Sequence, residues 1–143
     1  MAIIKEKKLK ISSVIENMTP SGLADGEAEH TEITADAFLK ISDCATVISY
    51  TENTEGGRVV SDITLTEASV TVTRRGAVES EMVFSEGGSY KSLYQVPPLS
   101  FDMEIYTKKI RNNMTRDGGR VDIFYTMKIG GAERYVRMKI ETL

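Results

Sequence analysis

Hydrophobic and polar residues alternate along most of this chain, and the clearest run of alternation lies between Val59 and Phe84, VVSDITLTEASVTVTRRGAVESEMVF. Ile63 and Leu65 alternate with Thr64 and Thr66, Val70 and Val72 with Thr71 and Thr73, and Met82 and Phe84 close a third segment. A period of two in β-branched residues predicts half-buried strands, because successive side chains of a strand point to opposite faces. Glu67-Ala68 reverses the chain once, and Arg75-Gly76-Ala77 reverses it again. Gly76 supplies the positive φ that such a tight reversal needs. Three antiparallel strands are therefore expected here, and the remaining segments read as strands added to them.

Upstream, Leu9, Ile11, Ser13 and Ile15 share one face of a strand. Asn17 to Gly26 holds Thr-Pro-Ser-Gly and Asp-Gly, which is turn chemistry and predicts a surface loop. Glu27 to Ile33 is charged and reads as an edge strand that discourages pairing with other molecules. Thr34 is a possible helix cap, but continuation of the strand through Phe38, Leu39 and Ile41 is favoured. Cys44 to Glu52 gives another strand, followed by a turn over Asn53 to Gly57. Beyond the central meander, Tyr90 to Tyr94 is a short strand, and Pro97-Pro98 must interrupt a sheet or lie at its edge. Phe101, Met103 and Ile105 alternate with Asp102, Glu104 and Tyr106, and Asn112 to Gly119 is a polar turn. Val121, Ile123, Tyr125, Met127 and Ile129 alternate most cleanly, Gly130-Gly131 makes a two-residue hairpin, and Val136, Met138 and Ile140 form the last strand. About eight to ten strands with short turns predict an all-β, single-domain antiparallel barrel or sandwich over residues 1–143, with little or no helix. The expected core includes Ile63, Leu65, Val70, Val72, Phe84, Met103, Ile105, Ile123, Tyr125 and Met138.

Composition narrows the setting more than the chemistry. With 143 residues the chain can bury a core of its own. The net charge of −3 provides no global basic field for nucleic acid or an anionic membrane. A single cysteine rules out an internal disulfide, which fits a reducing compartment. The first residues, MAIIKEKKLKISSVIE, lack the apolar stretch of a secretory signal, and no run approaches the roughly 18 apolar residues of a membrane-spanning helix. The expectation is a cytoplasmic protein with no cofactor, no metal site and no membrane partner.

The order of features from Tyr50 onward resembles the YwiB-like family of small bacterial proteins, a domain of unknown function. The resemblance rests on the strand Val47 to Glu52, the Ile63–Leu65 segment, VTVTRRG at Val70 to Gly76 and the Met82-x-Phe84 strand. Tyr94 and Pro97 sit where that family tends to carry Tyr-x-Thr-Pro, but Val96 replaces the Thr and Pro98-Leu99 replaces the following aromatic-Gly pair. The resemblance implies a calycin-like, lipocalin-like β-barrel and imports no activity.

Few residues carry candidate chemistry. His30, the single histidine, lies among Glu29 and Glu32 and reads as a surface residue rather than part of a triad or metal site. Cys44 lacks a second cysteine or a neighbouring histidine and reads as a buried structural thiol. The glycine pairs fall at strand junctions, with no phosphate-loop context. Asp102 and Glu104 share a strand face, as exposed carboxylates commonly do. Lys108, Lys109, Arg111, Arg116 and Arg120 would suit an RNA-binding rim with Tyr106 for stacking. A solvated loop is the favoured reading of that cluster, because Asp117 and Asp122 dilute it and the chain as a whole is acidic. Arg74 follows Val70 and Val72 at a period of two and should point inward, where a charge needs a partner. It either pairs with an internal acid, reaches past the strand end into water, or binds an anion. The expected function is a non-catalytic barrel binding a small anionic molecule or a protein partner, with Arg74, Tyr94 and Tyr106 at the ligand site. The alternative is an enzyme using carboxylates or tyrosines inside the barrel.

Overall fold

A computed structural model describes residues 3–18 and 24–142. Ten strands follow one another along these residues: β1 (Ile3–Met18), β2 (Ala24–Ile41), β3 (Thr46–Thr54), β4 (Gly57–Leu65), β5 (Val70–Gly76), β6 (Glu79–Phe84), β7 (Ser89–Val96), β8 (Leu99–Thr115), β9 (Gly118–Ile129) and β10 (Ala132–Thr142). Each pairs antiparallel with its neighbours in sequence, and β1 pairs with β10, so the sheet closes into a barrel. Closure pairs the first and last strands, which an open sheet would leave as free edges. The barrel read from alternation is therefore the observed fold, and no helix is present among the described residues.

The alternating pattern sets the inside. All ten residues expected in the core are buried, and Leu9, Leu39, Ile48, Val121 and Ile140 join them. Ile123 illustrates the rule: it is fully buried between its cross-strand partners Ile110 and Met138, while the next residue, Phe124, turns outward. β8 changes parity at a bulge between Thr107 and Lys109, which lets Ile105, Thr107 and Ile110 all face inward. Gly76 ends β5 at φ 119°, and a Cβ there would collide with the carbonyl oxygen of Arg58. Gly130 and Gly131, at φ 57° and 83°, make the two-residue turn between β9 and β10.

Several boundaries differ from the sequence reading. Strand order runs unbroken through Thr34 to Ile41, as favoured. The loop expected over Asn17 to Gly26 shrinks, because β1 reaches Met18 and β2 restarts at Ala24; its centre lies outside the described residues. β8 continues to Thr115, leaving only Arg116 and Asp117 to turn into β9. Pro97-Pro98 forms a tight hairpin closed by the Val96–Leu99 pair.

Two seams are incompletely zipped. β2 and β3 pair only between Ala37–Ile41 and Thr46–Tyr50, so the earlier part of β2 has β1 on one side and an open edge on the other. This is the charged segment read as an edge strand, described from Ala28 onward as exposed through Glu32. β6 and β7 share only the pairs Glu79–Gln95 and Ser80–Tyr94. Below them the gap is bridged by Tyr90 Oη and Ser92 Oγ, which donate to the Glu81 side chain and carbonyl at 2.8 Å each.

Candidate functional site

Turns β3–β4, β5–β6, β7–β8 and β9–β10 gather at one end of the barrel, here termed the mouth. Just inside it a continuous cross-strand row runs Tyr50, Ser61, Arg74, Ser80, Tyr94 and Phe101, each residue the register partner of the next. Neighbours in such a row lie about 5 Å apart. The row follows from period-two parity carried across β3 to β8. It places serines and tyrosines where the deeper rows carry Ile48, Ile63, Val72 and Met82.

Arg74 does point inward, and its Nη2 donates to Glu52 Oε1 at 3.1 Å, both side chains being about a quarter exposed. Of the readings open for Arg74, pairing with an internal acid is the one observed. Glu52 shares the parity of Tyr50, two positions before it on β3. Burial pushes the Tyr50 hydroxyl above its usual range, opposed by the Ser61 hydroxyl and the positive charge of Arg74. Tyr94 is half-buried and packs on the core. Tyr106 does not join them. It lies 43% exposed on the outer wall, because Ile105 and Thr107 on either side of it are buried and the parity of β8 leaves it no other direction.

The residue that the sequence reading missed is Arg134. It precedes Val136 by two positions on β10 and so faces the interior, opposite Met127. Its Nε is buried and has no hydrogen-bond partner among the described residues; the same holds for Ser80 Oγ. Arg134 opens onto a cavity of about 420 Å³ lined also by Met82, Tyr94, Phe101, Tyr125 and Met127. Tyr125 packs on Phe84 with ring centroids 4.7 Å apart, and burial raises its hydroxyl pKa, keeping the phenol neutral. The mouth thus combines an apolar wall with donors that lack acceptors. Buried polar groups are nearly always satisfied, so such donors mark a place for water or a ligand. A guanidinium against a low-dielectric wall suits a carboxylate or phosphate oxygen.

The other candidates lie elsewhere. Asp102 and Glu104 face outward on β8, and Glu104 lies 3.8 Å from Lys91. His30 is exposed on β2. Cys44 is exposed rather than buried, because it falls in the β2–β3 turn, which Ser42 and Ala45 close with a 2.9 Å backbone hydrogen bond, and not in a strand. Among the described residues, no cluster of three or more His, Cys, Asp or Glu side chains is placed to hold a metal ion. No helix there is long and apolar enough to cross a membrane.

Fold and site together define a closed, ten-stranded antiparallel barrel with inward arginines at one mouth. Residues 16–140 match the family model DUF1934, a domain of unknown function, and the chain belongs to that family. It is 27% identical over 128 residues to the uncharacterized β-barrel protein YwiB of Bacillus subtilis (strain 168), a match spanning 90% of this chain and 85% of that protein. It also resembles the crystal structure of the ywiB protein from Bacillus subtilis, with a TM-score of 0.81 and 26% identity, over 96% of this chain and 92% of that one.

Proposed function

We propose that the barrel is a non-catalytic binding protein that admits a small organic anion through its mouth. The supporting observation is Arg134: an arginine aimed into a cavity of about 420 Å³, with a buried Nε that no described residue engages. In this reading the anionic group sits on the Arg134 guanidinium, and the Tyr94 hydroxyl adds a further donor. The apolar part of the ligand lies along Met82, Phe101 and Met127. Arg74, already neutralised by Glu52, borders the site and contributes less. This reading takes the barrel to be calycin-like and the protein to be cytoplasmic. The rival enzyme reading draws less support, since Glu52 is held by Arg74 and Asp102 and Glu104 face away from the mouth.

The test is a thermal-shift screen of small carboxylates and phosphate monoesters against the wild type, Arg134→Gln and Arg74→Gln. A ligand that binds only the folded state raises its apparent stability, by about 2.7 kcal/mol at a hundredfold excess over Kd. The expected result is a rise in the wild type, its loss in Arg134→Gln and partial retention in Arg74→Gln. Equal rises in all three proteins, or none in the wild type, would overturn the proposal.

A further inference from the structure

The outer wall formed by β8, β9 and β10 differs from the rest of this acidic chain. Register sets its outward side chains in rows. Lys109, Phe124 and Arg137 are consecutive partners across the three strands, and the next row holds Arg111, Asp122 and Lys139. Arg120 follows on β9, and Lys108 projects from the β8 bulge. Only Asp122 and Glu141 oppose these cations within the rows. Asp122 is itself buried, at 2% exposure, with Oδ2 on Arg120 Nε at 3.1 Å, so it holds Arg120 and presents little negative charge outward.

The aromatic rings of this wall are interleaved with the cations. The Phe124 ring lies between two guanidinium groups, Arg111 at 5.9 Å and Arg137 at 5.3 Å from its centroid. Lys108 Nζ stands 4.3 Å over the Tyr135 ring. These are all of the cation–π contacts among the described residues, and all fall on this one face. Phe124 and Tyr135 border a groove of about 340 Å³ together with Lys108, Arg137 and one carboxylate, Glu16, the register partner of Tyr135. Tyr106 is also exposed on this wall, as the register partner of Thr126.

We infer that this wall binds a single-stranded polynucleotide, with phosphates on Lys109, Arg111, Arg137 and Lys139 and a base stacked on Phe124. Cations alone would suit any polyanion. The Phe124 ring beside these guanidinium groups adds a π-surface, and base stacking on aromatic side chains tolerates any sequence because every base has a π-face. A continuous barrel wall offers no helix to enter a duplex groove, which favours a single strand. The contiguous cluster Lys108 to Arg120 contains only part of this surface. Phe124, Tyr135, Arg137 and Lys139 join it through strand pairing alone.

The experiment is fluorescence anisotropy with labelled single-stranded RNA and DNA 12-mers of mixed sequence, on the full chain. Four engaged phosphates at about 0.7 counterions each give a salt slope near −3, hence about a 50-fold loss of affinity from roughly 50 to 200 mM salt. Arg111→Gln and Arg137→Gln should each weaken binding and lower that slope. Phe124→Leu, which keeps an apolar side chain, should weaken binding about tenfold with the slope unchanged. Lys40→Gln, an exposed cation on β2, and Arg134→Gln at the mouth should leave it unaltered, which separates this site from the proposed ligand cavity. The relative affinity of the two 12-mers assigns RNA or DNA as the ligand. Three results would overturn the inference: no binding to either 12-mer, equal binding to heparin with no effect of Phe124→Leu, or binding only to phosphatidylserine vesicles.

Discussion

Replacing Ile123 with alanine tests the register of the whole barrel. Ile123 is fully buried, in the middle of β9, between Ile110 on β8 and Met138 on β10. The substitution removes three carbons from water-excluded space, worth about 2.4 kcal/mol at ~0.8 kcal/mol each. A closed barrel has little freedom to collapse around the gap, so a cavity contribution of about 1 kcal/mol adds to this, and the total lies near 3–4 kcal/mol. For a chain of 143 residues the unfolding entropy near the transition is about 0.3 kcal/mol/K, so the midpoint should fall by roughly 10 °C. Urea unfolding followed by circular dichroism provides the equilibrium value, with the m-value unchanged. Phe124→Ala is the matched control, since it deletes a larger side chain one position away on the outer face. It should cost less than Ile123→Ala. If Phe124→Ala proved the more damaging of the two, the parity of β9 would be reversed, and with it the inward placement of Tyr125 and, through pairing, of Arg134.

Two further outcomes follow from the charges and hydroxyls around the mouth. Burial raises the folded-state pKa of Tyr125 above the usual 10.0, so the unfolded chain loses its proton first. The associated stability is complete below about pH 10 and declines above it, by up to about 1.4 kcal/mol per pH unit. Tyr125→Phe should flatten that alkaline decline in urea titrations and leave the neutral range nearly unchanged. For the Arg74–Glu52 pair, a double-mutant cycle with Arg74→Met and Glu52→Gln should yield a coupling of about 1 kcal/mol, modest because both side chains remain partly wet. A coupling indistinguishable from zero would show that the two groups do not hold each other in solution.

Parity read from the sequence located strands, turns and core because each rests on local alternation that register later confirms. The inward direction of Arg74 was legible in the same way, by counting two positions on from Val72. Counting two positions back from Val136 would have placed Arg134 inside as well. A last strand starting at Val136 leaves Arg134 out, whereas the strand begins at Ala132, directly after the glycine turn. Glu52 as the partner of Arg74 was not legible, since the two are joined across β4 and the pairing depends on where β3 sits. The surroundings of Phe124 are not legible in the sequence, because the arginines that flank it come from β8 and β10. Tyr106 belongs at the mouth only if its strand turns it toward the shared rim, and its own alternation with Ile105 assigns it to the outside. The strand expected from Cys44 begins two residues later, at Thr46.

The ladder between β1 and β10 sets the timing of assembly in the cell. All the other ladders join sequence neighbours and can zip as hairpins while the chain is still leaving the ribosome. The closing one matches Leu9 to Thr142 and must wait until β10 has been made. Until then the nascent product is a curled sheet with β1 and β9 as open borders, and the residues bound for the core, Leu9 and Val121 among them, lie beside those borders. Synthesis halted before Ala132 would leave that intermediate as the final product, with unpaired backbone along β1 and β9 ready to pair with other chains.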